Sequence, residues 1–163
     1  NGNPPHKSGK DVVDGNIRGE MVKLAIADVE GFSFSDMEIK NPEHSYTAET
    51  MAKFCDMDPE ASYYFIVGAD SLDYMDEWYH PEEIFSRCIV LAGQRGDLGQ
   101  KEMNDKIRLL KEKFNADIRL LDIPNVAISS NWIRNTIKGG YSIHYYVPDA
   151  VEKYILEKGL YLD

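Results

Sequence analysis

The spacing of apolar positions along the chain predicts six helices with one apolar face each. Apolar residues recur every three or four positions, or follow a helix-starting proline, in six segments: roughly 14–27, 48–55, 81–87, 103–114, 130–138 and 148–158. Pro81 and Pro148 stand at the start of two of these segments, where proline is well tolerated. Gly139 and Gly159 follow the last two segments, which is typical of helix C-termini.

Short apolar runs predict strands between these helices. Residues 63–67 form a near-continuous apolar run, as expected of a parallel strand covered on both faces, and 88–92 and 117–123 are further strand candidates. Another strand is expected where Phe32, Phe34, Met37 and Ile39 nearly alternate, with a break at Asp36. Alternating strands and helices predict an α/β fold, a parallel sheet with helices on both faces, whose ligands bind beyond the carboxyl ends of the strands.

Composition and charge narrow the classes of partner. The 163 residues are 43% hydrophobic and show no composition shift, repeat or linker, so we expect a single domain over residues 1–163. A formal charge of -10 repels a nucleic-acid backbone and favours a small nucleotide as partner. The apolar runs are far shorter than the roughly 20 residues of a membrane helix, so no membrane partner is expected. Cys55 and Cys88 lack metal-site spacing and no signal-peptide core is seen, which indicates buried thiols in a cytoplasmic protein.

Polar or glycine-bearing segments follow the predicted strands at 68–71, 93–96 and 128–134. In the third segment, Ser129 and Ser130 precede a helix whose first N–H groups lack partners, and Arg134 lies about one turn inside it. Such an arrangement binds anions well. The alternative is that one serine is only a helix N-cap and Arg134 only a solvated charge.

The segment from Ile128 to Arg134, Ile-Ser-Ser-Asn-Trp-Ile-Arg, resembles the ISSTxIR signature of the nucleotidyltransferase superfamily, which holds the triphosphate of ATP. Asn131 stands where threonine is usual, and its side chain can still form hydrogen bonds. Further segments resemble the bacterial nicotinate mononucleotide adenylyltransferases, in that family's order: residues 2–7, 45–47, 65–70, 78 and 159–161. The resemblance implies a Rossmann-like, doubly wound nucleotidyltransferase fold with a small C-terminal helical part.

The resemblance also assigns roles to individual residues. Catalysis and triphosphate binding would rest on Ser129, Ser130 and Arg134, and the ATP site would further include Gly68, Asp70 and Ile128. Residues implied at the acceptor substrate are His6, Lys7, Thr47, Trp78 and Arg95.

Each assignment has a plainer alternative. For Asp70 it is a turn carboxylate, and for Thr47 a helix N-cap. For Trp78 it is a core or surface aromatic, and for Arg95 a solvated cation. The alternative for the pair at 6–7 is a chain end that binds nothing.

The implied reaction is adenylyl transfer from ATP to nicotinate mononucleotide in NAD biosynthesis, giving nicotinate adenine dinucleotide and pyrophosphate. The acceptor's phosphate is itself the nucleophile, so no protein base is expected. Mg²⁺ is expected to arrive with ATP, without a metal site of the protein's own. The alternatives are another adenylyltransferase, for instance one acting on phosphopantetheine, and a non-catalytic nucleotide-binding fragment. Ser45 to Thr47 together with Trp78 argue against phosphopantetheine. The oligomeric state stays open, a homo-oligomer included.

One family motif has no counterpart in this sequence. The family begins with a strand and a Gly-Gly-x-Phe-[Asp/Asn]-Pro-x-His-x-Gly-His loop, whose histidines contact the ATP phosphates. We therefore expect the chain to be a fragment that lacks an N-terminal strand and helix unit, on the order of 30 residues or more. We expect activity to depend on that segment.

Overall fold

The computed structural model describes residues 13–41, 43–95, 100–124, 126 and 128–162. Within them the helices are α1 (Gly15–Ile26), α2 (Thr47–Met57), α3 (Ala69–Leu72), α4 (Pro81–Arg87), α5 (Gln100–Phe114), α6 (Ser130–Lys138) and α7 (Asp149–Glu157), with a 3₁₀ turn at Met75–Glu77. The strands are β1 (Tyr64–Gly68), β2 (Ile89–Arg95) and β3 (Ile118–Ile123). The backbone forms two compact units: a sheet unit, Tyr46–Asn125, and a helical unit, Asn1–Ser45 with Val126–Asp163. None of the helices in these ranges has the length and apolar character needed to cross a membrane.

The sheet unit contains a parallel sheet in the order β1-β2-β3. Val67 pairs with Ala92, which pairs in turn with Leu120. This sequential order is that of one half of a doubly wound sheet. The predicted parallel α/β architecture is confirmed, and the carboxyl ends of the strands share one edge of the sheet.

The core of the sheet unit lies against one face of this sheet. Val90 and Ala92 of β2 are fully buried in one cluster with Ile84 of α4 and Leu110 of α5. The expectation that 63–67 is covered on both faces is wrong in the described part of the chain, because Ile66 is 69% exposed. Burial alternates along β1, as in a strand with only one packed face.

The helical unit packs α1, α6 and α7 around a smaller core. Ile137, Ile143, Val151 and Ile155 are its buried residues, and the predicted stripe of α1 packs against them through Met21 and Leu24. The first helix starts where Asp14 accepts a hydrogen bond from the backbone N–H of Asn16 at 2.9 Å. Predicted helices 14–27, 130–138 and 148–158 are thus confirmed to within one or two residues.

The strand predicted from Phe32 to Ile39 is wrong. Residues 32–36 have no regular secondary structure, and residues 37–39 form a turn that is closed by the hydrogen bond from Lys40 N–H to the Asp36 carbonyl at 3.0 Å. Phe34 and Ile39 pack instead on α1 at Gly19, where an added Cβ would lie 3.0 Å and 2.9 Å from their side chains. Their apolar surface is therefore covered by a helix, which requires no strand partner.

Both cysteines of the chain are free thiols, as the sequence predicts. Cys88 is buried and donates a hydrogen bond to the Ile84 carbonyl at 3.2 Å, while Cys55 is only half-buried. Burial raises the pKa of Cys88 to about 11, so this thiol stays protonated and cannot act as a nucleophile near neutral pH.

We predict that Leu110→Ala lowers the free energy of unfolding by about 2–5 kcal/mol, because the side chain is fully buried and the cavity cannot collapse completely. Urea unfolding followed by circular dichroism measures the loss. Leu109→Ala on the same helix is the matched control, since its side chain is exposed, and should change stability by less than about 0.5 kcal/mol. Equal losses for the two variants would contradict this packing of α5.

Candidate active site

The two serines at the start of α6 have different hydrogen bonding. The Ser129 hydroxyl accepts a hydrogen bond from the Trp132 backbone N–H at 3.1 Å and caps the helix. Ser130 is the first residue of the helix and is exposed, and its hydroxyl has no hydrogen-bond partner among the described residues. The N-cap interpretation is therefore correct for Ser129, whereas the Ser130 hydroxyl makes no hydrogen bond to the described residues.

Arg134 lies one turn inside α6 and is half-buried. In the described ranges no carboxylate lies within ion-pair distance of its guanidinium. Its charge acts on the phenol of Tyr161, whose pKa is raised by burial and whose anionic form Arg134 and Arg18 favour. A half-buried cation without an acidic partner, beside the free N–H groups of a helix start, is a suitable anion site.

In the sheet unit, Gly68 closes β1 beside Gly93 of β2. Its φ of -76° is open to any residue, and a Cβ added there would meet no atom within 4 Å. Neither the backbone conformation nor the described neighbours therefore require glycine at this position. Asp70, two residues further in α3, is exposed at the same strand end.

The side chains of three predicted site residues lie outside the described part of the structure. His6 and Lys7 lie outside the described residues. Arg95 is the last residue of β2, and its backbone pairs with Ile123 at the end of β3. Its backbone thus lies at the carboxyl end of the sheet.

Thr47 is the first residue of α2 and is half-buried. The N-cap alternative for Thr47 is wrong, because the N-cap is Tyr46, whose side chain makes no capping hydrogen bond. The N–H groups of the first turn of α2 thus lack a side-chain cap, and the Thr47 hydroxyl has no hydrogen-bond partner in the part of the chain that the structure describes.

Trp78 ends the 3₁₀ turn and packs half-buried at the border of the core. Its ring meets Phe65 edge to face, with 6.2 Å between ring centroids, and Tyr74 at 6.4 Å. The core alternative therefore holds for part of the indole, while the rest is accessible.

A pair of aromatic rings connects these two positions. The Tyr46 and Tyr79 ring centroids are 4.3 Å apart with a 31° tilt. Tyr46 precedes Thr47 and Tyr79 follows Trp78, so the pair brings the start of α2 and the end of the 3₁₀ turn into one corner of the sheet unit. Sequence analysis did not single out Tyr79, although its place beside Trp78 was a signal.

A second contact missed from sequence reaches the same turn. Asp76 lies in the 3₁₀ turn, and its carboxylate accepts a hydrogen bond from Lys106 of α5 at 2.7 Å. That bond is the largest cause holding the pKa of Asp76 below its usual value. No local pattern indicates such a bridge, because 30 positions separate its two residues.

Metal-ligating side chains do not cluster in the described ranges, where no group of three or more His, Cys, Asp or Glu residues could hold an ion.

Residues 1–136 match the cytidylyltransferase-like family, which places the chain among the nucleotidyltransferases. A probable nicotinate-nucleotide adenylyltransferase of Clostridium botulinum (strain Loch Maree) is 42% identical over 161 residues, covering 98% of this chain and 80% of the relative. One from Lachnoclostridium phytofermentans is 37% identical over 159 residues, with the same coverage. The chain belongs to the nicotinate-nucleotide adenylyltransferase family.

A solved structure shares the fold. The Plasmodium falciparum nicotinic acid mononucleotide adenylyltransferase complexed with NaAD superposes with a TM-score of 0.74 at 18% identity, over 98% of this chain and 78% of that chain. The predicted Rossmann-like nucleotidyltransferase fold is thereby confirmed.

We predict that Ser129→Ala lowers the free energy of unfolding by about 1 kcal/mol, because the Trp132 N–H loses its capping partner. Thermal or urea unfolding provides the measurement. Ser130→Ala, one residue along, removes a hydroxyl without a described partner and should leave stability nearly unchanged. A larger loss at Ser130 would reverse the two roles.

Proposed function

We propose that this chain transfers the adenylyl group of ATP to nicotinate mononucleotide, forming nicotinate adenine dinucleotide and pyrophosphate in NAD biosynthesis. The observation that carries the proposal within the structure is the start of α6, where the half-buried Arg134 lacks a carboxylate partner in the described part of the chain. Membership of the family supplies the reaction, and this arrangement supplies a place for the phosphates.

In the proposed reaction a 5'-phosphate oxygen of the acceptor attacks the α-phosphorus of ATP. A new P–O bond forms, the α–β anhydride bond breaks, and pyrophosphate leaves with its electron pair. The acceptor phosphate is already an anion near neutral pH, so the protein need not remove a proton. Its task is to align two anions and to neutralise the charge that grows on the phosphoryl oxygens.

Each part of ATP is assigned to groups of suitable chemistry. Arg134, the Ser130 hydroxyl and the first N–H groups of α6 would bind the triphosphate, with Ser129 holding the helix start in shape and Ile128 leading into it. Gly68 and Asp70 would lie at the nucleoside, where the absence of a Cβ allows close approach.

The nicotinate ring is assigned to Trp78 by stacking and to Thr47 by polar contact. A carboxylate only accepts hydrogen bonds, so uncapped N–H groups at the start of α2 would suit it, whereas an amide would also turn a donor toward them. His6, Lys7 and Arg95 remain assigned to the acceptor phosphate, on the resemblance and on their charge.

Mg²⁺ is proposed to enter bound to ATP. Phosphate oxygens and water provide most of its preferred ligands, so the chain needs no carboxylate cage, and no residue is assigned to the ion. We also propose a cytoplasmic location, where ATP is available.

We predict that the full-length protein transfers the adenylyl group at a higher kcat/KM to nicotinate mononucleotide, giving nicotinate adenine dinucleotide, than to nicotinamide mononucleotide, giving nicotinamide adenine dinucleotide. The amide N–H of nicotinamide would face the uncapped N–H groups at the start of α2 and leave buried donors unpaired, which costs about 1–3 kcal/mol per group. Pyrophosphate release across both acceptors and phosphopantetheine is the measurement. Equal or greater turnover with phosphopantetheine would refute the substrate, and no turnover with any acceptor would favour a non-catalytic nucleotide-binding protein.

We predict that Arg134→Ala lowers kcat/KM about 10- to 150-fold, because a lost charge-assisted hydrogen bond costs about 1.5–3 kcal/mol. The melting temperature should change little. Lys138→Ala is the matched control, since it removes an exposed cation from the other end of the same helix. Unchanged kcat/KM in a folded Arg134→Ala protein would instead support the alternative that Arg134 is only a solvated charge.

A further inference from the structure

The 3₁₀ turn that carries Trp78 is tied to α5 by charge. The Asp76 carboxylate lies 2.7 Å from the Lys106 ammonium through one oxygen and 3.5 Å from the Lys113 ammonium through the other. Asp76 is only 19% exposed and Lys106 only 20%. A bridge sheltered to this degree and hydrogen-bonded at short distance is stronger than the usual surface ion pair.

The other described contacts of this backbone are short-range hydrogen bonds and the burial of Met75. The turn has three residues, and isolated 3₁₀ turns have poor hydrogen-bond geometry. The Trp78 backbone N–H donates to the Met75 carbonyl at 3.3 Å, and Met75 is fully buried. Among the described residues, the indole of Trp78 has ring contacts but no hydrogen bond of its own.

We propose that Asp76 is a positioning residue for the acceptor's aromatic ring: its bridge to Lys106 and Lys113 sets the orientation of Trp78, two residues along the chain. This inference rests on the proposed role of Trp78 in stacking on the nicotinate ring. It adds a residue that sets the orientation of the Trp78 ring without contacting the ligand. Asp76 itself touches no substrate.

The ion pair between Asp76 and Lys106 stays charged across the neutral pH range, so it does not act as a pH switch. Lys106 and Lys113 are the charged groups that face Asp76, and the hydrogen bond from Lys106 lowers the pKa of this carboxyl. A lowered carboxyl pKa means that the stabilisation is complete above the unfolded value and is lost as pH falls through the folded value. The effect of the ion pair on KM for the acceptor should therefore not vary between pH 6 and pH 9. Both pH values lie well above the ordinary aspartate pKa of about 3.9.

The test compares Asp76→Asn with wild type in the full-length protein. Asparagine keeps the size but turns N–H donors toward two ammonium groups. We expect KM for nicotinate mononucleotide to rise about 3- to 10-fold. This rise corresponds to the lower part of the range of interaction energies measured between residues of one ion-pair network. KM for ATP and kcat should stay within about twofold of wild type, the pattern expected when acceptor binding alone is weakened.

Asp117→Asn is the matched control. Asp117 also pairs with a cation, at 2.8 Å from Arg119, and its pKa is also lowered by that contact. It is exposed and lies before β3, away from the turn. Its substitution should leave both KM values unchanged. Lys106→Met should reproduce the effect of Asp76→Asn, and the double variant should add little to either change.

Fluorescence distinguishes positioning from general loosening. The 163 residues contain two tryptophans, so a Trp132→Phe background leaves Trp78 as the only tryptophan among them, and excitation is chosen to be selective for tryptophan over tyrosine. Asp76→Asn should change the emission and acrylamide quenching of Trp78, and Asp117→Asn should not. Equal rises in both KM values, or unchanged Trp78 emission, would overturn the proposal. If wild type forms no nicotinate adenine dinucleotide, the proposed function fails, and Trp78 emission alone decides whether the bridge orients the ring.

Discussion

Parallel pairing of β1, β2 and β3 is the constraint on which the sheet unit depends. Three parallel strands require each connection to return to the starting edge, and α3, α4 and α5 lie in those connections. Every segment that leaves a strand therefore leaves from the same edge. Backbone N–H groups and exposed polar side chains gather at that edge. Different side chains can be placed there without a change of fold, so one framework supports many nucleotide chemistries.

The phosphate site proposed in the helical unit would have to hold anions with few charges. Its helix α6 uses one serine to keep the helix start ordered and leaves the next serine exposed. A single arginine inside the same helix adds a full charge to the partial charges of the N–H groups. In a chain with a net charge of -10, such local groups must act against the field of the whole molecule, which favours small, highly charged ligands over extended polyanions.

Periodicity predicted most helices because burial follows from spacing along one face. It could not tell the near-alternation at Phe34 and Ile39 from that of a strand, since only the fold shows that Gly19 on a neighbouring helix makes room for both. The serine and arginine of α6 were predictable because capping is local. The Asp76 bridge was not, since ion pairs between distant positions leave no pattern in a single sequence. The predicted cap at Thr47 was one residue late, within the usual uncertainty of helix starts.

The two thiols of the chain differ in accessibility, and this difference has a practical consequence. Cys88 is buried and protonated, whereas Cys55 lies half-buried on α2 with its sulfur only 3.9 Å from the Arg87 carbonyl. Because alkylating reagents require an accessible thiolate, a maleimide dye should react with Cys55 rather than with Cys88 in the folded protein. The sheet unit thus carries a built-in site for a single spectroscopic label, on the same helix whose first residue is Thr47.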